Sequence, residues 1–260
     1  MTFAAASALP DPDVSRQIHT STRNRRSRTL DSIKPLEDSP LLQAWASDPT
    51  SSQIAISGNF GARHTLRDFA VDAIDLILEA DIPVVWALSD AANSNERHTP
   101  ADVIKYLVSQ VLQANSAMQN ERSASLSVVC FQSARLEQDW FNLLGSVLPG
   151  LSQVYVIVDI DVFLTEMAPQ TPWPEQFNHF FTPLSAHNIH TTVRVVFLSS
   201  KPSHKEQLSG CPEQSVLRIP TSRSGRVRKN TQAKRPTRQR RKERERLRNT
   251  LLGAGTHAEL

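Results

Sequence analysis

Three short stretches constrain this chain more than anything else in it. Residues 82–88 (IPVVWAL), 153–158 (QVYVIV) and 193–198 (VRVVFL) are nearly continuous apolar runs of strand length. A strand that is apolar on both faces must be covered on both, which is the situation of a parallel sheet held between helices. Stretches with helical period lie between these runs. Residues 65–80 place Leu66, Phe69, Ala70, Ala73, Ile74, Ile77 and Leu78 on one stripe, with Arg67, Asp68, Asp72, Asp75 and Glu79 on the other side. That is the pattern of an amphipathic helix. Thr99-Pro100-Ala101-Asp102 reads as an N-cap, a proline at the first helical position and an acid in the first turn. The helix it opens carries Ile104, Leu107, Val108, Val111 and Leu112. Leu136, Trp140, Leu143, Leu144, Val147 and Leu148 mark another, stopped by Pro149-Gly150. Shorter strand-like runs stand at 53–57 (QIAIS) and 216–219. The alternation predicts an α/β fold with a mostly parallel sheet and helices on both faces, three layers in all.

This predicted body spans 41–222, and its flanks differ from it. Residues 1–40 are rich in Ser, Thr, Arg, Asp and Pro without an apolar period, and read as a disordered N-terminal arm. Residues 223–260 read as a basic, mostly disordered tail. The net charge of +3 conceals this division. Residues 223–248 hold thirteen Lys/Arg against two Glu, a net of +11, while residues 41–222 hold ten against eighteen acids, a net of −8. No run approaches the roughly 20 apolar residues of a membrane span. The first ten residues lack a basic start and meet Asp11 and Asp13 at once, unlike a signal peptide. With Cys130 and Cys211 as the two cysteines, a secreted disulfide scaffold is excluded. An intracellular chain with reduced thiols, cytoplasmic or nuclear, is expected.

In a doubly covered parallel sheet, ligands sit beyond the carboxyl ends of the strands. Gly58 to Thr65 (GNFGARHT) follows the first strand-like run and opens the strongest helix, the context of the phosphate-binding pattern G-x-x-x-x-G-K-[ST]. Gly58 matches the first glycine, Gly61 a common mid-loop glycine, and Thr65 the hydroxyl that holds Mg²⁺. The last glycine is Arg63, where a side chain risks a clash or a strained φ. The lysine is His64, shorter and mostly neutral at pH 7. The open N-terminus of the helix still favours an anion, and Arg63 and Arg67 supply charge without a fixed direction. Asp159 ends the apolar run 153–158 as a Walker B carboxylate does, a Mg²⁺ ligand through water. Asp161, two residues on, is placed to orient a water or act as base.

Taken in order, "QIAISGNFGARHT", "IPVVWAL", "TPADVIKYLVSQVL", "VYVIVDIDVF" and "VRVVFLSSKP" resemble the NACHT-type P-loop domains of the STAND NTPases in their fungal form. The resemblance covers about 41–219 and implies a P-loop-NTPase-like fold with ATP and Mg²⁺ as ligands. Ser199-Ser200-Lys201-Pro202 stands where that family carries a T-S-R-P-like sensor, which makes Ser200 and Lys201 its sensor-like residues. The departures matter as much. His64 and Arg63 remove the Walker A lysine and last glycine. Lys201 keeps a charge but lacks the fork of arginine, and the basic tail follows where the family continues with helical segments. The expected protein is therefore a degenerate module, a non-hydrolysing nucleotide-binding or scaffold protein with a protein partner; the competing readings are a nuclear or nucleic-acid-associated protein acting through its basic C-terminal tail, and a weakly active ATPase.

Plainer readings stand beside these. Gly58 to Thr65 also suits a turn capped into a helix, and Asp159 and Asp161 also suit solvated strand-end carboxylates. His187 and His190 have a zinc-like spacing, with His179 and Cys211 as conceivable partners, but no metal motif surrounds them. Ser199-Ser200 lacks a nucleophile elbow. Cys130, Trp45, Trp86 and Trp140 read as packing residues. In the tail, Arg226, Arg228 and Lys229 form one basic cluster and Lys234, Arg235, Arg238, Arg240, Arg241 and Lys242 a second. That spacing fits an import receptor or non-specific contact with nucleic acid.

Overall fold

The structure, a computed structural model, describes residues 9, 11–25, 36, 38–89, 98–116, 131, 133–163, 171–186, 190–201, 208, 210–219 and 237–252. Its helices are α1 (Pro12–Arg25), α2 (Pro40–Ser47), α3 (Arg63–Glu79), α4 (Pro100–Ala114), α5 (Glu137–Val147), α6 (Trp173–Ala186) and α7 (Thr237–Leu252). The strands are β1 (Ser52–Ser57), β2 (Val84–Ala87), β3 (Gln153–Asp159), β4 (Thr192–Ser199) and β5 (Val216–Arg218). They form one sheet in the order β2-β3-β4-β1-β5, every pair parallel. This is the predicted α/β class, a P-loop-NTPase-like sheet in which β4 lies between the strand before the glycine loop and the strand ending in Asp159.

The continuous apolar runs divide by alternation. Along β3, Val154, Val156 and Val158 enter one core with α4, α5 and α6, while Tyr155 and Ile157 enter another with α2, α3 and α7. A period of two within an unbroken apolar run is what coverage on both faces demands. Trp45, Trp86 and Trp140 are all buried in these cores. The α4 N-terminus forms the predicted cap: Thr99 Oγ1 accepts the Asp102 N–H, and the Asp102 carboxylate accepts the Thr99 N–H, each at 3.1 Å. Further along α4, Gln110 faces the edge strand. Its Oε1 accepts the Trp86 N–H at 3.0 Å and its Nε2 donates to the Trp86 carbonyl at 2.9 Å. The side chain stands in for a neighbouring strand and blocks pairing at that edge.

Both flanks contribute to the body, which corrects the sequence-based boundaries. In the N-terminal arm, α1 packs on α3 and Arg16 bonds Asp75 at 2.8 Å. Leu9 and Leu36 are buried, and α2 begins at Pro40. Polar Ser15 and His19 are the buried residues of α1, while Val14 and Ile18 are exposed. Its amphipathicity is inverted, so no hydrophobic period announced it. In the tail, α7 lies against α2 and α3 with Leu247 and Leu251 buried, and the Tyr155 hydroxyl donates to the Leu251 carbonyl at 2.9 Å. Burying two leucines stabilises the docked helix by about 1.5–3 kcal/mol each. The basic tail meets the acidic body at Arg244–Glu79 and the end of the N-terminal segment at Arg246–Asp38.

Candidate functional site

Four strands deliver their carboxyl ends to one place, and the polar groups there bind one another. Asp159, the last residue of β3, accepts the Asp161 N–H on Oδ1 at 3.0 Å and the Ser89 N–H on Oδ2 at 3.3 Å. Asp161 sits in the 3-10 turn Ile160–Val162 that follows β3. Its Oδ2 accepts the Ser200 N–H at 3.0 Å and the Ser200 hydroxyl, and its Oδ1 lies 3.4 Å from the Ser199 hydroxyl. Lys201 Nζ donates to the Asp161 carbonyl at 3.3 Å. Gly58 brings in β1 by donating its N–H to the Ser199 carbonyl at 2.9 Å. Ser89, Asp159, Asp161, Ser199 and Ser200 are all buried. The network therefore ties β1, β2, β3 and β4 together at one end of the sheet.

Its buried cation is Arg67. The helical wheel assigns Arg67 to the polar side of α3 with no fixed direction, and the structure corrects both points. The residue is 4% exposed, and its Nη2 donates to the Ser89 carbonyl at 2.7 Å and the Ser89 hydroxyl at 2.8 Å. The reason is that α3 is enclosed by the sheet on one side and by α1 and α7 on others, so little of it faces solvent. Burial pushes the Asp159 carboxyl up to about 6, and the neighbouring Asp161 charge pushes the same way. The Arg67 charge and the N–H groups of Asp161 and Ser89 oppose that shift.

The glycine loop is wound tight. A Cβ on Gly58 would lie 2.6 Å from the Ala62 Cβ, so only glycine allows this approach. Residues Phe60–Ala62 form a 3-10 turn capped by Asn59, whose carbonyl and Oδ1 both accept the Ala62 N–H. The Arg63 N–H donates to the Phe60 carbonyl. Arg63 has φ −50° and ψ −43°, ordinary helical values that any residue adopts. The strain expected at that position is absent because the backbone closes on itself instead of opening round a phosphate. His64 is exposed, Gly61 is exposed, Arg63 is half-buried, and Thr65 is buried.

Gly58, Gly61, Arg63, His64 and Thr65 thus share one turn, and Asp159, Asp161, Ser200 and Lys201 share one network. Mg²⁺·ATP held in the P-loop manner does not fit this arrangement. The Ala62 and Arg63 N–H groups that would face a phosphate donate within the turn. Both Asp159 oxygens accept backbone N–H groups, and a guanidinium already provides the positive charge a metal would bring.

Other candidates are placed apart from this network. Cys211 is buried, and burial pushes its thiol up to about 12. The His179 side chain is 80% exposed and lies 4.0 Å from Glu175. His190 is exposed. Among the described residues no group of three or more His, Cys, Asp or Glu is placed to hold a metal ion. No helix among them is long and apolar enough to cross a membrane. Cys130, His187, Pro202, Arg226, Arg228, Lys229, Lys234 and Arg235 lie outside the described residues. Arg238, Arg240, Arg241 and Lys242 fall on α7, with Lys242 exposed.

Sequence reasoning missed Ser89 as a member of the site, although it carried a usable signal, because it follows an apolar run directly, as Asp159 does. Arg67 is read from the sequence as a charge near the loop, but its burial and its partners leave no signal there.

No family model matches the chain, and no curated protein does. Among solved structures it is similar to the Aeropyrum pernix ORC2 protein, solved as ADPNP-ADP complexes, at 13% identity and a TM-score of 0.40, over 84% of this chain and 50% of that one. It is also similar to a chain in the structure of Drosophila ORC bound to AT-rich DNA and Cdc6, at 14% identity and a TM-score of 0.38, over 85% of this chain and 35% of that one. The chain spans half of the first and about a third of the second. Likenesses this distant transfer no chemistry.

Proposed function

We propose that the chain is a non-hydrolysing P-loop-derived module, a shortened relative of the NACHT-type domains of fungal STAND NTPases, which works as a scaffold for a protein partner. The order of its sequence elements supports the kinship. One observation carries the functional reading: the strand-end carboxylates, the serines and Arg67 form a closed network where the family would hold Mg²⁺ and phosphate. Carboxylates that already accept bonds from the protein gain little from a ligand that must first break those bonds. The network acts as a lock on the carboxyl end of the sheet, and activity then belongs to the outer surfaces.

The test is ATP turnover and binding by the full chain. Phosphate release with ATP and Mg²⁺ is expected at the buffer background, unchanged by Asp159→Asn. Calorimetry is expected to give no heat at millimolar ATP. Restoring the motif as His64→Lys with Arg63→Gly should not create binding, because Ala62 still closes on Gly58 and Arg67 still faces Asp159. Mg²⁺-dependent phosphate release that Asp159→Asn removes would overturn the reading in favour of a weak ATPase.

A further inference from the structure

We propose that Arg194, Trp45 and Ser52 form a buried site for a monatomic anion, chloride, at the amino end of the sheet. Register sets Arg194 of β4 beside Ser52 of β1 on one side and Tyr155 of β3 on the other, with neighbouring strands about 5 Å apart. Alternation puts all three side chains on one face of the sheet, the face whose core holds Ile54, Tyr155 and Val196. Trp45 closes the row from α2. Its ring meets that of Tyr155 edge-on, with centroids 5.9 Å apart, and its carbonyl accepts Arg194 Nη1 at 2.7 Å.

Three buried polar atoms of this row have no hydrogen-bond partner among the described residues: Arg194 Nε, Trp45 Nε1 and Ser52 Oγ. Arg194 and Trp45 are each 6% exposed, so bulk water does not serve them. The two nitrogens only donate, and a hydroxyl donates as readily as it accepts. What the row lacks is one acceptor that three donors can share. The charge of that acceptor follows from Arg194, whose guanidinium meets only neutral groups, the carbonyls of Trp45 and Asp48. The Asp48 carboxylate is turned to Thr50, accepting its N–H at 2.9 Å and its hydroxyl at 2.7 Å, and feels Arg194 only from a distance. A buried cation without a bonded anion is costly, and chloride supplies the charge and the acceptor together. Three donors suit one spherical ion, whereas a phosphate or carboxylate would bring further oxygens that no fourth donor in the row answers. The Tyr155 hydroxyl is committed to the Leu251 carbonyl at 2.9 Å. Ser52, half-buried at the start of β1, marks the side nearest solvent. The anion is a structural ligand that joins α2 to β1 and β4.

The experiment is a set of thermal melts of the full chain at constant ionic strength, with chloride replacing gluconate step by step. For a dissociation constant of about 10 mM, about 200 mM chloride multiplies the folding constant roughly twentyfold, a saturable rise of about 3–7 °C in melting temperature. Bromide should replace chloride in this effect. The double variant Trp45→Phe, Ser52→Ala removes two donors and keeps a ring against Tyr155. It should melt cooperatively and lose most of the chloride response. Arg194→Met should abolish the response, and where that variant fails to fold the double variant carries the test. A melting temperature that ignores chloride overturns the proposal, since the three groups then meet water alone. A chloride response of equal size in the parent and the double variant also overturns it, as a general salt effect or an ion bound elsewhere. Crystals of the full chain grown in bromide give the direct view. An anomalous peak beside Arg194 Nε and Trp45 Nε1 is expected, and its absence overturns the site.

Discussion

Among the described residues, each end of the sheet buries one arginine, and the two do different kinds of work. At the carboxyl end, Arg67 bonds Ser89 and lends its charge to the buried carboxylate of Asp159, which lies beside Asp161. At the amino end, Arg194 lies near the start of β4, 6% exposed. It donates to the Trp45 carbonyl at 2.7 Å and to the Asp48 carbonyl. Those are carbonyls from the last turn and cap of α2, where a helix runs short of internal donors; the Trp45 carbonyl otherwise accepts the Asp48 N–H alone, at 3.4 Å. Arg67 therefore answers a charge, whereas Arg194 answers backbone dipoles. The first offsets a buried acid; the second closes a helix end. The lesson is that a buried charge at a strand end is informative about function only when the groups facing it are themselves charged.

The largest expected effect comes from removing the cation that answers charge. Arg67→Met keeps most of the packing volume but leaves Asp159 buried beside Asp161 without a counterion. The loss should be about 3–5 kcal/mol at pH 7.5, in the range for a broken buried pair. It should shrink at pH 5, where Asp159 takes up a proton and the uncompensated charge disappears. Denaturant titrations at the two pH values measure both. A loss that is equal at pH 5 and 7.5 would mean Arg67 acts only through Ser89, and the contrast with Arg194 would collapse. Next in size is Arg194→Met, expected to cost about 2–4 kcal/mol because two carbonyls lose their donors. That cost should be flat between pH 5 and 7.5, since Asp48, whose carboxyl the Thr50 hydrogen bonds and then the Arg194 charge hold below the ordinary range against burial, stays ionised throughout.

The two ends also differ in how far sequence alone exposed them. The sheet was legible because its strands are apolar throughout, and the capping box at Thr99 because its residues are local. Asp159, Asp161, Ser199 and Ser200 were legible because a strand end is a position in sequence as well as in space. Arg67 was not, because a helical wheel assumes one dry side and one wet side, and α3 has hardly any wet side. Arg194 stood in plain view as the polar residue in VRVVFL, but its partners are backbone carbonyls some 146 and 149 positions away, and backbone leaves no trace in residue identity. The docking of α7 had two cues, Leu247 and Leu251. A run of arginines dominated the composition around them, and charge was weighed ahead of spacing.

The pH profile of stability sharpens the same comparison with a smaller effect. Folding raises the Asp159 carboxyl from the ordinary aspartate range to about 6, so between roughly pH 4 and 6 the folded state holds a proton that the unfolded state has released. Stability then falls as pH rises through that window and levels off above it. A shift of about two units corresponds to roughly 2–3 kcal/mol. Asp159→Asn removes this titration, so its stability should run flat where the parent's declines. The difference between the two curves is the quantity to measure, because Asn also exchanges one acceptor for a donor and shifts the absolute level. Parallel curves would show that the network carries no buried titration and would remove the chemical distinction between the two ends.

The smallest effect concerns what holds α7 near the amino end of the sheet. Charge complementarity between an acidic body and a basic helix suggests that ion pairs hold it, and Arg244–Glu79 is the shorter of the two pairs seen. Both of its side chains are about half exposed, so the Coulomb attraction is spent against water and mobile ions. Glu79→Gln should cost no more than about 0.5 kcal/mol, and less as salt rises. Leu251→Ala should cost about 2–4 kcal/mol at any salt, because it empties a buried site. Thermal melts of both variants at low and high salt separate the two causes. A Glu79→Gln loss as large as that of Leu251→Ala, fading in high salt, would make the helix an electrostatic attachment that polyanions could strip from the body. A small loss leaves it as part of the core, held on a seat made of Leu247 and Leu251.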